Sequence, residues 1–159
     1  MFVVDTNVLI YSADKDTPEH EPCRKLLESF RAQTTPWYLT WGIVYEFVRV
    51  VTHPRVLVRP FTPDQAWGFI HALFASPRLG ILMETDRHRH VAAEVFAEIP
   101  GITGNLVFDA HTAILMRENG IRTIYTRDAD FNRFSFVDTI DPLTNQHRTS
   151  KSRGKSKPR

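Results

Sequence analysis

Four carboxylates in this chain sit inside apolar segments or directly at their ends. Asp5 ends the run Met1-Phe2-Val3-Val4, and Glu46 lies within Ile43-Val44-Tyr45-Glu46-Phe47-Val48. Asp109 follows Leu106-Val107-Phe108, and Asp128 comes just after Thr123-Ile124-Tyr125-Thr126. Such segments build the core of a domain, and a carboxylate attached to one is costly to bury unless it is paired, hydrogen-bonded or held against a cation. Four of them, far apart in sequence but each tied to a core element, point to a fold that gathers them into one acidic pocket with a divalent metal.

The segments between the acids alternate in type. Residues 1–4, 37–39, 79–83, 121–126 and 136–140 are short and apolar, as buried strands are. Thr17-Pro18-Glu19 has the composition of a helix start, with Cys23, Leu26, Leu27 and Phe30 following at helical spacing to about Ala32. Further helices are expected over Trp41–Val51, ended by His53-Pro54, and from Thr62-Pro63 through Ala66, Phe69, Ile70, Leu73 and Phe74. Asp86 is expected to cap a helix running to about Ile99. Asn105 is expected to cap another from Leu106 to about Asn119, with Gly120 in the left-handed conformation after it. Strands alternating with helices predict an α/β fold, an α/β/α sandwich on a mostly parallel sheet of four to five strands.

In an open parallel sheet the functional crevice lies at the carboxyl ends of the strands. Asp5 and Asp128 each closely follow a strand, and Glu46 and Asp109 lie early in helices, so all four can face that edge. Asp109 shares a helix face with Ala113 and Met116, while His111 points away from it. Taken singly, the acids have plainer explanations: Asp5 suits the cap of a helix beginning near Thr6, Asp128 the cap of a turn at Ala129-Asp130-Phe131, and Glu46 a solvated helix face. It is their shared edge that favours a site.

A chain of 159 residues suits one domain with a substantial core. Cys23 is the only cysteine, which rules out an intramolecular disulfide and favours a reducing compartment. No apolar run approaches the ~20 residues that cross a bilayer, and the chain opens directly on a strand-like segment, so neither a membrane span nor a signal peptide is expected. The expected location is the cytoplasm. The net charge of +2 hides an asymmetry. Six of the 20 basic residues follow Leu143 with no acid among them, leaving 14 against 18 acids, or −4, over residues 1–142. Residues 1–142 are therefore expected to form the domain, and residues 143–159 a basic, disordered tail suited to polyphosphate.

The opening Asp5-Thr6-Asn7-Val8-Leu9-Ile10 resembles the start of the PIN-domain ribonucleases. The same order of blocks continues with Glu46 in a helix, Asp109-Ala110 opening an apolar helical run, and Thr126-Arg127-Asp128-Ala129-Asp130-Phe131 near the end. Over roughly residues 1–142 the chain is similar to the VapC-type toxins of bacterial toxin–antitoxin pairs.

That resemblance implies that Asp5, Glu46, Asp109 and Asp128 are the catalytic, metal-binding carboxylates. Thr6, Asn7, Thr126 and Asp130 would support them, with Asp130 either capping a turn or taking the place of Asp128. Four ionised carboxylates at close range raise one another's pKa, and a cation offsets the repulsion. All-oxygen ligands favour Mg²⁺, with Mn²⁺ as a substitute, over zinc. The implied activity is metal-assisted hydrolysis of RNA phosphodiesters by an endoribonuclease toxin, with a cognate antitoxin and a homodimeric state.

Two other activities compete: an RNA-processing nuclease without an antitoxin, and an RNA-binding module that has lost catalysis. Phosphoryl-transfer folds that also place Asp after the first strand fit poorly. Asn7 stands where phosphatases of that kind need a second Asp, and Arg127 where receivers need a Lys. His53, His88 and His90 read as loop or surface residues. Trp37, Tyr38 and Trp41 are either core or base-stacking residues, and Arg49, Arg55 and Arg59 are candidate contacts to an RNA backbone.

Overall fold

The computed structural model describes residues 1–144 and 147–148. Its sheet is built from β1 (Phe2–Val4), β2 (Trp37–Thr40), β3 (Leu79–Leu82), β4 (Thr123–Tyr125), β5 (Asp138–Ile140) and β6 (His147–Arg148). The order across the sheet is β3-β2-β1-β4-β5-β6. The first five strands are parallel, and β6 adds to β5 antiparallel. β6 falls within the segment 143–159 expected to be a disordered tail. Apart from Leu143, Thr144 and β6, that segment lies outside the described residues.

Six helices connect the strands: α1 (Thr6–Ala13) and α2 (His20–Ala32) after β1, α3 (Trp41–Val51) and α4 (Pro63–Phe74) after β2, and α5 (His88–Glu98) and α6 (Leu106–Glu118) after β3. The chain steps from β1 to β2 to β3 in one direction, then returns across the sheet to β4 on the other side of β1. Right-handed crossovers accordingly put the helices of the two legs on opposite faces, which makes the sandwich. α1 packs on α2 and α3, and α5 packs on α6. Val3, Val4, Leu9, Trp37, Leu39, Phe47, Met116 and Ile124 are fully buried in the core.

Local signals explain most boundaries. Thr40 caps α3 by accepting from the Ile43 amide at 3.1 Å. Thr62 and Gln65 form a reciprocal capping box at the start of α4, with Pro63 at its first position. Gly120, at φ 67°, ends α6 in the left-handed region. Three expected starts differ. α2 begins at His20 rather than Thr17, because the Thr17 hydroxyl donates to the Asp14 carbonyl and its own carbonyl accepts from the His20 amide, closing a turn. α5 begins at His88 without a cap from Asp86, since the Thr85 hydroxyl accepts from the Arg87 amide instead. Asn105 precedes α6 in helical backbone geometry and makes no side-chain cap.

Candidate active site

The strand order reverses between β1 and β4, and an open parallel sheet has its crevice at such a switch point. Asp5 follows β1 and is the residue that caps α1. Its backbone amide donates to the Tyr125 carbonyl at 3.0 Å, which ties the end of β1 to β4. The carboxylate is nearly buried and densely hydrogen-bonded. Oδ1 accepts from the Thr6 amide at 2.7 Å, and Oδ2 accepts from the Thr126 hydroxyl at 2.6 Å and from the Asn7 side-chain amide.

Thr126 and Asn7 extend this network. The Thr126 hydroxyl accepts from Asn7 Nδ2 at 3.0 Å and from the Asp128 amide at 2.8 Å, and Asn7 Oδ1 accepts from the Arg127 amide at 3.3 Å. Asp128 in turn caps the short 3-10 turn Ala129–Arg133, its Oδ1 accepting from the Asp130 amide at 2.8 Å. Glu46 stands at the margin on α3, exposed, with Oε2 accepting from the Thr6 hydroxyl at 3.0 Å and Oε1 3.3 Å from Arg49.

Asp109 lies in the first turn of α6, half-buried, and completes the group. Asp109, Asp128 and Asp130 each present a carboxylate oxygen within 4.8 Å of the others. Burial, followed by the charges of Asp128, Asp5, Asp130 and Glu46, pushes the Asp109 carboxyl up to about 7. Burial also raises Asp5, to about 6, against the lowering effect of its bonds from Thr126 and Thr6. Burial is the larger cause in both, and the neighbouring acids that the edge gathers add to it. A cation made of hard, oxygen-seeking metal is the group that chemistry of this kind accepts.

The structure thus brings Asp5, Asp109, Asp128 and Asp130 to one edge, with Thr6, Asn7 and Thr126 between them and Glu46 at the margin. Asp128 and Asp130, posed in the sequence as alternatives, both face Asp109. Ala113 and Met116 are buried on the Asp109 face of α6, and His111 turns away to Glu84 Oε1 at 3.2 Å. His88 lies against Glu118 at 2.8 Å. Trp37 is fully buried, Tyr38 partly, and Trp41 is exposed and stacked on Tyr45. Arg59 is held by both oxygens of Asp16. The bond from Thr6 to Glu46 and the partners of Arg127 join residues far apart in sequence, and no local pattern signals them. Among the described residues no helix is long and apolar enough to cross a membrane.

The PIN domain family model matches residues 2–137. Ribonuclease VapC48 of Mycobacterium tuberculosis is 34% identical over 140 residues, covering 88% of this chain and 96% of its own. Ribonuclease VapC43 of the same organism is 36% identical over 150 residues, covering 92% and 98%. Among solved structures, VapC20 of Mycobacterium tuberculosis, described as a sarcin-ricin loop cleaving toxin, superposes with a TM-score of 0.59 at 17% identity, covering 82% of this chain and 92% of its own. VapBC2 from Rickettsia felis, bound to a DNA fragment from its promoter, gives 0.63 at 16% identity, covering 87% and 96%. With a family match over residues 2–137, and with relatives at this identity over nearly the whole chain, the protein belongs to the PIN-domain family, in its VapC group.

Proposed function

We propose that this chain is a Mg²⁺-dependent endoribonuclease, the toxin of a toxin–antitoxin pair. The observation that supports it most directly is the acid cluster at the switch point, where burial and mutual repulsion raise Asp5 and Asp109 to about 6 and 7. The similar relatives are named ribonucleases, and VapC20 is described as a toxin. The donor set is all oxygen, which suits Mg²⁺ or Mn²⁺. Asp5, Asp109 and Asp128 would hold the ion, with Asp130 and Glu46 at its margin. A bound divalent cation supplies Lewis acidity to the phosphodiester and makes water acidic enough to attack phosphorus at neutral pH.

The chain's own residues supply position and charge. Thr126, Asn7 and the Thr6 amide fix both oxygens of Asp5 in one orientation. The short turn after Asp128 leaves its second oxygen for the pocket, and the Thr6 hydroxyl keeps Glu46 facing the same edge. The nuclease unit would be residues 1–142, followed by the basic segment. Exposed apolar side chains on α5 and α6, Phe96, Val107 and Phe108, offer surface for a homodimer.

The test is cleavage of a mixed RNA pool by the purified protein, with Mg²⁺, with Mn²⁺ and with EDTA, alongside Asp5→Asn and Asp109→Asn. Cleavage that requires metal and disappears in both variants is the expected result. Cleavage that persists in EDTA or in both variants would overturn the reading. Inhibition by a small protein encoded beside this one would separate a toxin from a processing nuclease.

A further inference from the structure

The pocket acids repel one another, and the two after β4 sit at the start of a short 3-10 turn, Ala129–Arg133, rather than on an α-helix or a strand. Arg127 lies between Thr126, which donates to Asp5, and Asp128. Its side chain turns away from the pocket, yet it is held from three directions. Nη1 donates to Glu19 Oε1 at 3.0 Å, at the start of α2, and Nε lies 3.9 Å from Asp141 Oδ1, just past β5. The guanidinium sits 5.9 Å above the ring of Tyr11 on α1. Its backbone amide is fixed too, donating to Asn7 Oδ1.

We propose that Arg127 is a positioning residue for the acid pocket, a tether that holds the Asp128 carboxylate at the switch point against the repulsion of Asp5 and Asp109. The inference rests on the metal-dependent reading of the site and deepens it. The geometry separates the two jobs along three consecutive residues. Thr126 and Asp128 face the pocket, while Arg127 anchors the loop from behind on acids that take no part in the cluster. Its partner Glu19 is only 21% exposed and its own side chain 36%, so the pair is better shielded than a fully solvated one. A guanidinium suits the task because one of its donors bonds Glu19 while its charge lies near Asp141 and its face over a ring. Lysine, with a single charged head, has no equivalent.

The test is Mn²⁺ titration of the full chain, followed by calorimetry, for wild type, Arg127→Gln, Asp128→Asn and the double variant, with thermal melts of each. Supporting residues of a metal site change affinity by about 10–100-fold, and Arg127→Gln is expected near the lower end of that range. In the Asp128→Asn background the same change is expected to cause no further loss, because the carboxylate it positions no longer bears its charge. Glu19→Gln, which leaves Arg127 in place, is expected to reproduce the single-variant effect. An equal loss from Arg127→Gln in both backgrounds would overturn the proposal and make Arg127 a general structural residue, as would unchanged affinity in a folded Arg127→Gln. Wild-type protein that binds no Mn²⁺ would instead overturn the metal reading itself, and the tether with it.

Discussion

The Thr126 hydroxyl donates to Asp5 Oδ2 at 2.6 Å across 121 residues of sequence, joining the ends of the two strands that flank the switch point. It also receives the Asp128 amide, so one hydroxyl sets the positions of two pocket acids. Thr126→Val keeps the shape and removes these two bonds and the one from Asn7 Nδ2. It should lower metal affinity and RNA cleavage by about 10–100-fold, the range for groups that orient a metal's ligands. Thr126→Ser keeps the hydroxyl and should retain most of the activity. Full activity in Thr126→Val together with a loss in Thr126→Ser would show that the methyl group, not the hydroxyl, matters.

The raised carboxyls make the metal-free protein sensitive to pH. Asp5 and Asp109 carry folded-state values of about 6 and 7 against an ordinary 3.8. Between those limits the folded state holds protons that the unfolded chain has released, so stability falls as pH rises. The contribution is fully present below about pH 4 and lost by about pH 7. Melting in EDTA should therefore give a higher Tm at pH 5 than at pH 7.5, with other groups held common by comparison with variants. Asp109→Asn should flatten the difference. Saturating Mg²⁺ at pH 7.5 should raise the Tm of the wild type, because a ligand bound only by the folded state stabilises it.

Much of this arrangement was legible in the sequence because the relevant signals are local. His53-Pro54 after an apolar helical run marks the end of α3. An apolar run ending in Asp5 marks the edge of β1, and the order of blocks identifies the fold. Signals failed where a side chain found a better partner through space. Thr17-Pro18-Glu19 has the composition of a helix start, but the Thr17 hydroxyl is committed to Asp14, so α2 begins three residues later. Asp128 and Asp130 looked like competitors because a sequence shows spacing but not that a 3-10 turn can point both toward Asp109. The role inferred for Arg127 depends on Glu19, 108 residues away.

A second buried carboxylate has a different task. The Glu118 side chain is fully buried near the end of α6, where Oε1 accepts from the Thr85 hydroxyl at 2.8 Å and Oε2 lies 2.8 Å from His88 Nδ1. These bonds lock the entry of α5 to the end of α6. Glu118→Ala removes both bonds, and since Thr85 is exposed and His88 partly so, each lost bond costs only about 0.5–1.5 kcal/mol. Denaturant unfolding should show a loss of that size, while Mn²⁺ affinity stays unchanged because none of the pocket residues bonds to Glu118. A loss of affinity without a loss of stability would place Glu118 in the site instead.

Asp128 and Asp130 should separate on substitution. The charge of Asp128 acts on both Asp5 and Asp109, and on Asp109 it ranks above every other charge. Asp130, exposed like Asp128, acts on Asp109 alone. Asp128 is also fixed at its backbone by Thr126 and at Oδ1 by the Asp130 amide, so only Oδ2 has directional freedom toward the pocket. A ligand held in advance loses less entropy on binding than a free one. Asp128→Asn should therefore weaken Mn²⁺ by on the order of 100-fold, and Asp130→Asn by about 10-fold or less. The asparagine at 128 still accepts from the Asp130 amide, so the turn survives and the comparison isolates charge. Titration of both variants at one pH measures the ratio. A larger loss from Asp130→Asn would move the pocket outward along the turn, with Asp128 as its cap.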